Sequence, residues 1–384
     1  MSTAQKIEDD PFARVEHAIE VIRRGGMIIM VDDEDRENEG DLVIATEHCD
    51  AAAVNFMCKY GRGLICLSLQ AERIEALGLR MMVPTDPGSM GTAFTVSIEA
   101  RRGVTTGISA ADRAETIRVA ADPGFGAEDI VSPGHIFPLR AQPGGVLVRS
   151  GHTEGSVDLS RLADCKPAGV ICEIMRDDGE MARMDDLESF AREHDMPILA
   201  IADLIAYRLQ RESLVEETAS APFVSKVLGI DADAGWTIRS FRSRVTPVSR
   251  FVALTKGEID DSEPVLVRAQ RAQMLGDTFG YGDDSASRLR SAIARIDEAG
   301  RGVFLHVIPG QSDLEDELEA LQTGPSATRG LRPRESGFRD FGLGAQVLKH
   351  LGVKRIRVLT NNPRKIIGLE GFDIEVVGSV ELGE

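Results

Sequence analysis

Apolar and polar residues alternate along the first half of the chain with periods that predict helices and short buried strands in turn. Residues 11–24 carry apolar positions at helical spacing and end at Gly25-Gly26, as expected of an amphipathic helix. The same reasoning predicts helices at 50–59, 71–77, 110–121, 156–164, 185–194 and 201–212. It predicts strands at 27–31, 42–45, 64–67, 93–98, 146–148, 168–175 and 197–200. This alternation indicates a sheet with helices packed against it.

The second half repeats the alternation after a polar stretch, 211–225, which we interpret as a linker. Its predicted strands are 236–240, 251–254, 265–267, 303–307, 356–359 and 374–377, and its predicted helices are 287–298, 313–321 and 344–351. The segment 310–336 is rich in Gly, Pro, Ser and Arg and is predicted to be irregular. A chain of 384 residues exceeds one ordinary core, so we predict two domains, 1–213 and 214–384.

Composition and charge exclude several classes of protein. The 42% hydrophobic and 28% charged content is typical of soluble globular proteins, and no apolar run approaches a membrane span. The first residues lack the basic and apolar regions of a signal peptide. A net charge of −18 argues against nucleic acid and membrane partners, although a few local arginines could still bind a phosphate. Five cysteines without paired spacing predict reduced thiols in a cytoplasm.

The most unusual polar stretch lies between the first two predicted strands and reads Val31-Asp-Asp-Glu-Asp-Arg-Glu-Asn-Glu-Gly-Asp41. Six carboxylates precede the closing Gly-Asp, and such a loop repels itself unless a cation neutralises it. A solvated hairpin tip is the ordinary interpretation of an acidic run. Because these charges lie at strand ends, where α/β proteins place ligands, a divalent-metal or polyol site is a second hypothesis that gains support here.

Two further loops carry groups suited to an anion. Arg149-Ser-Gly-His-Thr153 combines a guanidinium, a glycine that lets the backbone approach, and a hydroxyl, as a phosphate grip does. Thr105-Thr-Gly107 precedes a helix and could add donors, although such loops are more often plain caps. His152 could act as a general base or as a ligand for Mg²⁺ or Mn²⁺ beside the carboxylates.

Two other polar residues have no obvious packing role. Glu173 lies in an apolar strand, where a carboxylate should be paired, liganded or protonated, and a structural ion pair is as good an explanation as catalysis. His135 lies between two prolines and, taken alone, is more often an ordinary loop histidine. Together with a metal site and a phosphate grip, these groups suggest proton abstraction beside the carbonyl of a sugar phosphate.

At these motifs the first half resembles the 3,4-dihydroxy-2-butanone 4-phosphate synthase family of riboflavin biosynthesis. The resemblance covers roughly residues 11 to 212 and includes the acidic stretch, Thr105-Thr-Gly-Ile-Ser-Ala-Ala-Asp-Arg113, Gly134-His-Ile-Phe-Pro138 and Arg149-Ser-Gly-His-Thr-Glu154. It implies a mixed sheet with helices on both faces, in three layers, and a cytoplasmic homodimer with sites near the subunit interface. It also implies Mg²⁺-dependent conversion of ribulose 5-phosphate to 3,4-dihydroxy-2-butanone 4-phosphate and formate. The implied route passes through an enediol, loss of the C1 hydroxyl and a skeletal rearrangement that expels C4.

The resemblance also assigns roles residue by residue. Glu37 and His152 would hold the metal, and His135, Glu173, Asp41 and Cys66 would form the catalytic pocket. The substrate would contact Arg36, Glu37, Asp41, Thr105, Thr106, Arg149, Ser150, Gly151, His152, Thr153 and Glu173.

The second half resembles GTP cyclohydrolase II, an α/β domain and the usual fusion partner of this synthase. Val265-Leu-Val-Arg268, Leu275-Gly-Asp-Thr-Phe-Gly280, Arg339-Asp-Phe-Gly-Leu-Gly-Ala-Gln346 and Leu359-Thr-Asn-Asn-Pro-Arg-Lys365 carry this resemblance. The family binds Zn²⁺ through three cysteines, and the matching positions hold Gln273, Asp284 and Ala286.

Other positions of that family are altered as well. Its Arg-Gln-Glu-Gly-Arg-Gly segment is replaced by Ile308-Pro-Gly-Gln-Ser-Asp, and the acid–base Asp that accompanies Arg339 is replaced by Gly337. We therefore predict a cyclohydrolase-like fold without zinc or activity, in which Thr360-Asn-Asn-Pro363 has a packing role. The alternatives are a bifunctional enzyme with unusual zinc ligands, or a regulatory module that senses a nucleotide or supports oligomerisation.

Overall fold

The computed structural model describes residues 10–33, 36–83, 91–245, 250–260, 262–279, 285–308, 336–361 and 372–382, without the side chains of 336–341. The chain forms two compact units, Met1–Arg208 and Leu209–Glu384, so the predicted two-part organisation is observed with the boundary five residues earlier. The predicted helix 313–321, Asp284, the replaced segment after Ile308 and Asn362-Pro363 lie outside the described residues, as does the side chain of Arg339.

The first unit contains one seven-stranded mixed sheet with the strand order β4-β5-β3-β6-β2-β1-β7. Its strands are β1 Ile28–Val31, β2 Gly40–Ala45, β3 Cys66–Leu69, β4 Ile98–Ala100, β5 Ile130–Arg140, β6 Ala168–Glu173 and β7 Ile198–Ala200. Its helices are α1 Pro11–Arg23, α2 Ala51–Phe56, α3 Ala71–Ala76, α4 Ala110–Ala121, α5 His152–Leu162, α6 Met184–His194 and α7 Ile201–Arg211, the last of which crosses the boundary. Helices cover both faces, which confirms the predicted three layers.

The two faces of this sheet differ in chemistry because side chains alternate along each strand. Leu42, Ile44, Leu67, Val170 and Cys172 point to one face, where they join residues of α2, α4 and α6 in the main apolar core. The alternate positions point to α5, a helix that begins at His152 rather than at the predicted residue 156.

Three local predictions in the first unit were wrong. The apolar run 146–148 forms the short 3₁₀ turn Gly145–Leu147 instead of a strand. Residues 132–138 are part of β5 rather than a separate loop, although pairing with β4 shifts register there. Of the predicted strand 93–98, Phe94 and Thr95 make isolated bridges, and β4 begins at Ile98.

The second unit contains another seven-stranded sheet, ordered β14-β13-β11-β12-β10-β9-β8. Its strands are β8 Val215–Pro222, β9 Trp236–Ser243, β10 Arg250–Lys256, β11 Val265–Arg271, β12 Gly302–Ile308, β13 Arg355–Leu359 and β14 Glu375–Val380, and its helices include α8 Ser285–Ala299 and α9 Ser336–His350. The predicted linker was wrong over most of its length, because β8 pairs with β9 at the edge of this sheet. An edge strand tolerates polar side chains and a proline, so its sequence looks like a linker.

Trp236 anchors the core of the second unit. Its ring is buried among Leu254, Ile293 and Phe304, and its indole N–H donates to Asp297 Oδ1 at 2.8 Å. Within the described part of the chain, no helix is both long and apolar enough to cross a bilayer.

Candidate active site

Sheet register brings the predicted catalytic carboxylates together at one end of the central strands of the first sheet and on the same face. Asp41 on β2 lies opposite Glu173 on β6, and it also lies opposite Met30 on β1. Cys66 on β3 pairs with Ile171, two residues before Glu173, so Cys66 shares that face. Asp41, Glu173 and Cys66 therefore lie on the same face of neighbouring strands, the face that α5 covers.

His152 is the first residue of α5 and lies near the strand ends at Met30 and Asp41. It is 6% exposed, and its Nε2 lies 3.2 Å from Met30 O. Because a carbonyl oxygen can only accept, Nε2 carries the proton and Nδ1 keeps its lone pair. Gly155 permits this close packing, since a Cβ there would meet Met30 Sδ at 2.4 Å.

The acidic stretch is organised by Asp32, a residue that the sequence did not single out. Asp32 Oδ2 accepts from the Glu37 N–H at 3.1 Å, and Oδ1 accepts from the Glu39 N–H at 2.8 Å. Arg36 Nη1 lies 2.6 Å from Asp32 Oδ2 and 2.8 Å from Glu37 Oε2, so it neutralises part of the loop. Part of the negative charge of the loop is therefore neutralised by the loop's own Arg36. Glu34 and Asp35 lie outside the described residues.

Asp32, Glu37 and His152 each bring one donor atom to within 4.8 Å of the others. Two carboxylate oxygens and a neutral imidazole form a donor set that suits Mg²⁺ or Mn²⁺. Burial lowers the pKa of His152, which keeps the ring in the neutral form that a metal requires. The residues present fit a divalent cation, with Asp32 as an addition to the predicted pair.

The charged form of the Asp41 carboxyl group is destabilised by its surroundings. Burial, followed by the charge of Glu173, raises the pKa of the Asp41 carboxyl well above its usual value. Its Oδ1 is buried without a hydrogen-bond partner and lies 4.0 Å from His152 Nδ1. A buried acceptor without a donor marks a place where a ligand or a cation would be stabilised.

Glu173 is held by main-chain contacts. Its Oε2 accepts from the Leu64 N–H at 2.8 Å, and a Cβ at Gly63 would lie 2.5 Å from the same oxygen. Burial and then the nearby carboxylates raise the pKa of the Cys66 thiol, so Cys66 lines the pocket as a neutral thiol.

The Arg149 motif is built into the start of α5. Arg149 is buried, and its Nη1 lies 2.7 Å from Glu154 Oε2. A Cβ at Gly151 would lie 2.2 Å from that nitrogen, so a larger residue there would displace the Arg149 guanidinium from its present position. Burial raises the pKa of Glu154, and Arg149 opposes this rise. The predicted grip therefore consists of an arginine oriented by a buried glutamate beside the helix start at His152 and Thr153.

The Thr105 loop differs from its prediction. The Thr105 N–H, the Thr105 hydroxyl and the Gly107 N–H all donate to Asp112, at 3.1, 2.8 and 3.0 Å. These bonds lower the pKa of Asp112, with the Thr105 hydroxyl as the largest cause. The expected donors for an anion are thus committed to Asp112, and the exposed Thr106 is the remaining candidate of this pair.

In the second unit, a hydrogen-bonded cluster surrounds Asp277, next to the position where the cyclohydrolase family has its first zinc ligand. Asp277 accepts from the Gln273 N–H at 2.8 Å, from the Ser285 hydroxyl at 2.5 Å and from Gln270 Nε2 at 3.1 Å. His306 Nε2 lies 3.0 Å from Asp277 Oδ2, the oxygen that also accepts from the Gln273 N–H. Burial opposes ionisation, but the Ser285, Gln273 and His306 bonds lower the pKa of Asp277.

Comparison with known proteins finds one matching family for each of the two units. A family model described as 3,4-dihydroxy-2-butanone 4-phosphate synthase matches residues 16–207, and one described as GTP cyclohydrolase II matches residues 227–381. The riboflavin biosynthesis protein RibBA of Aquifex aeolicus is 48% identical, over 98% of this chain and 93% of the relative.

Two further relatives also span both units. A Pseudomonas aeruginosa protein named 3,4-dihydroxy-2-butanone 4-phosphate synthase is 46% identical, over 94% of this chain and 97% of its own. The crystal structure of RibBX from A. baumannii, described as a two domain 3,4-dihydroxy-2-butanone 4-phosphate synthase, superposes with a TM-score of 0.76. That structure is 38% identical and covers 97% of this chain and 100% of its own.

Proposed function

Because the chain belongs to the 3,4-dihydroxy-2-butanone 4-phosphate synthase family of riboflavin biosynthesis, we propose that its first unit performs this reaction at the α5 edge of the sheet. The substrate would be D-ribulose 5-phosphate, and the products would be 3,4-dihydroxy-2-butanone 4-phosphate and formate. The observation that carries the proposal is the convergence of Asp32, Glu37 and His152 beside the facing carboxyls of Asp41 and Glu173.

In this proposal Glu37 and His152 hold Mg²⁺ or Mn²⁺, and Asp32 shapes the loop that presents Glu37. Asp32 also offers the ion a third donor atom, a carboxylate oxygen. A bound divalent ion supplies positive charge that polarises the ketose carbonyl and stabilises an enediolate. Because two main-chain N–H groups already bind Asp32, Glu37 is held in place before a substrate arrives.

The remaining residues divide between binding and proton transfer. Arg149, with the helix start at Ser150 to Thr153, binds the phosphate, and Arg36 and Thr106 are further substrate-binding residues. Glu173 and His135 move protons on the enediol route. Burial and then the charge of Glu173 raise the pKa of Asp41, and we assign to Asp41 the donation of a proton to the departing C1 hydroxyl.

The direct test is incubation of the whole chain with ribulose 5-phosphate and Mg²⁺, followed by formate detection. We expect one formate per substrate consumed and loss of turnover when EDTA removes the ion. Restoration by added Mg²⁺ or Mn²⁺ is the control for chelator effects. Formate production that continues unchanged in EDTA would refute the metal role, and no formate under any condition would refute the activity.

For the second unit we propose a cyclohydrolase-like fold that neither binds zinc nor opens GTP. Gln273 and Ala286 cannot provide thiolates, and the Gln273 main chain is committed to Asp277. Relatives that match both units and are named only for the synthase support this proposal.

Metal analysis of the purified chain tests this second proposal. We expect less than stoichiometric zinc, and no formate or pyrophosphate from GTP under conditions in which a zinc-loaded GTP cyclohydrolase II is active. One zinc per chain together with release of both products would establish a bifunctional enzyme instead.

The proposal extends to a cytoplasmic homodimer whose interface lies beside the site. Leu64, which binds Glu173 through its N–H, and Ile108, which follows the Thr105 loop, are large apolar residues exposed by 41% and 54%. Covering such residues by a second subunit would bury apolar area next to the catalytic edge. The five unpaired cysteines accord with a reducing compartment.

A further inference from the structure

Glu99 and His135 form a carboxylate–imidazole pair at the β4 side of the first sheet. Glu99 Oε2 lies 2.7 Å from His135 Nδ1, and Glu99 itself is 8% exposed. We propose that Glu99 is a positioning residue for turnover, which keeps the proton of His135 on Nδ1 so that Nε2 acts on the substrate. This inference rests on the proposed function, in which His135 transfers a proton.

The Glu99 carboxylate is fixed from the side of α4. Its Oε1 lies 3.1 Å from the Thr116 hydroxyl, which in turn accepts from the Ala100 N–H at 3.1 Å. The Thr116 hydroxyl also lies 3.0 Å from Asp112 O, but its single proton favours the charged acceptor. Glu99 is therefore oriented through one oxygen while the other faces His135.

The Thr105-Thr-Gly107 loop makes room for this arrangement. A Cβ at Gly107 would lie 2.0 Å from Glu99 Oε2, and Gly107 has a φ of +89°, where a side chain would be strained. Asp112 holds the loop in this shape through the N–H groups of Thr105 and Gly107. The Thr105-Thr-Gly107 loop thus leaves space for the Glu99 carboxylate. The N–H groups of the loop bond to Asp112 because they hold the loop in this shape.

His135 is fixed from the side of β5. Ile98 pairs with Ile136 while Glu99 pairs with Val131, so the four residues 132–135 leave the regular ladder. The Ser132 hydroxyl donates to Ser97 O at 2.7 Å, and the Gly134 N–H donates to Ser97 Oγ at 3.2 Å. These bonds anchor both ends of the irregular segment and bring the His135 ring to Glu99.

The pairing determines which ring nitrogen can react. A carboxylate only accepts, so the bonded Nδ1 carries a proton and Nε2 retains its lone pair. The His135 side chain is 44% exposed, which leaves its other edge accessible to substrate. The carboxylate behind the imidazole also fixes the orientation of the ring, in the way that outer partners orient metal-bound histidines.

The test is Glu99→Gln in the full chain, which keeps the shape of the side chain and removes its charge. We expect kcat to fall by about 10- to 100-fold with KM within about twofold. Nitrogen NMR of His135 should show loss of the uniform Nδ1–H tautomer.

Three further variants separate positioning from a structural effect. Glu99→Asp retains the charge and should recover part of the rate, and Glu75→Gln, an exposed charge removal on α3, should match the wild type. Adding Glu99→Gln to His135→Ala should cost nothing more, because Glu99 acts through that ring.

The inference is overturned if Glu99→Gln lowers the rate equally in both backgrounds, or if its kcat and its His135 tautomer match those of the wild type. A wild-type chain that yields no formate would instead refute the proposed function, and the NMR tautomer would still report whether the pair exists.

Discussion

His152→Ala is expected to lower kcat for formate production by about 1,000-fold or more, since Lewis-acid assistance supplies several kcal/mol. The imidazole is one of three donors around the candidate cation site and the one with a burial-lowered pKa, so it stays neutral and able to ligate. Alanine removes this donor and leaves Asp32 and Glu37, whose carboxylates bind a divalent ion weakly by themselves.

Rate and metal affinity should be measured together for this variant. Turnover as a function of Mg²⁺ and binding of Mn²⁺ by electron paramagnetic resonance should both weaken, while circular dichroism stays unchanged. His17→Ala, an exposed histidine on α1, is the matched control. A His152→Ala enzyme within tenfold of the wild-type rate, or with unchanged Mn²⁺ affinity, would contradict the assignment.

Arg208→Leu is expected to lower the free energy of unfolding of the first unit by about 3–5 kcal/mol. Arg208 Nη1 lies 2.6 Å from Asp158 Oδ2, and their side chains are 5% and 6% exposed. The same Asp158 oxygen accepts from the Val146 N–H at 2.8 Å, in the turn that leads to Arg149. Without Arg208, this carboxylate would remain buried without its closest cation.

The loss should depend on pH in a defined direction. Burial raises the pKa of Asp158, and Arg208 is the main group that opposes this rise. In Arg208→Leu the folded-state pKa rises further above the unfolded value of about 3.8. A folded state that holds an extra proton loses stability as pH increases, so the deficit should grow from pH 4 to pH 7.

Hydrogen exchange of peptides from β1, β2 and β6 at several pH values measures this effect. Arg161→Leu is the matched control, because Arg161 faces the same carboxylate at 4.0 Å with a side chain 41% exposed. We expect the control to change stability by about 1 kcal/mol or less. Equal effects of the two substitutions would contradict the argument from burial.

The sequence was sufficient to place the candidate site motifs relative to the strands, because these motifs coincide with strand ends. The stretch from Val31 to Asp41 connects β1 to β2, and antiparallel pairing of β2 with β6 places Asp41 opposite Glu173. The pattern of apolar runs predicted both strands, and an isolated Glu at the end of one of them indicated a site.

Several site residues could not be predicted because their roles depend on tertiary contacts. Asp32 is one of many adjacent carboxylates in the sequence, and only the folded loop shows which of them accepts the N–H groups of Glu37 and Glu39. Glu99 meets His135 through an irregular strand pairing 36 residues away. The run 146–148 resembled a strand because three apolar residues have no measurable period.

Trp236 offers a spectroscopic consequence of the two-unit organisation. It is the single tryptophan among 384 residues, it is buried, and it belongs to the unit that begins at Leu209. Tryptophan fluorescence, excited at the long-wavelength end of protein absorption, therefore originates entirely from the cyclohydrolase-like unit. The first unit contains no tryptophan, so this fluorescence does not report its unfolding directly and follows the unfolding of the second unit alone.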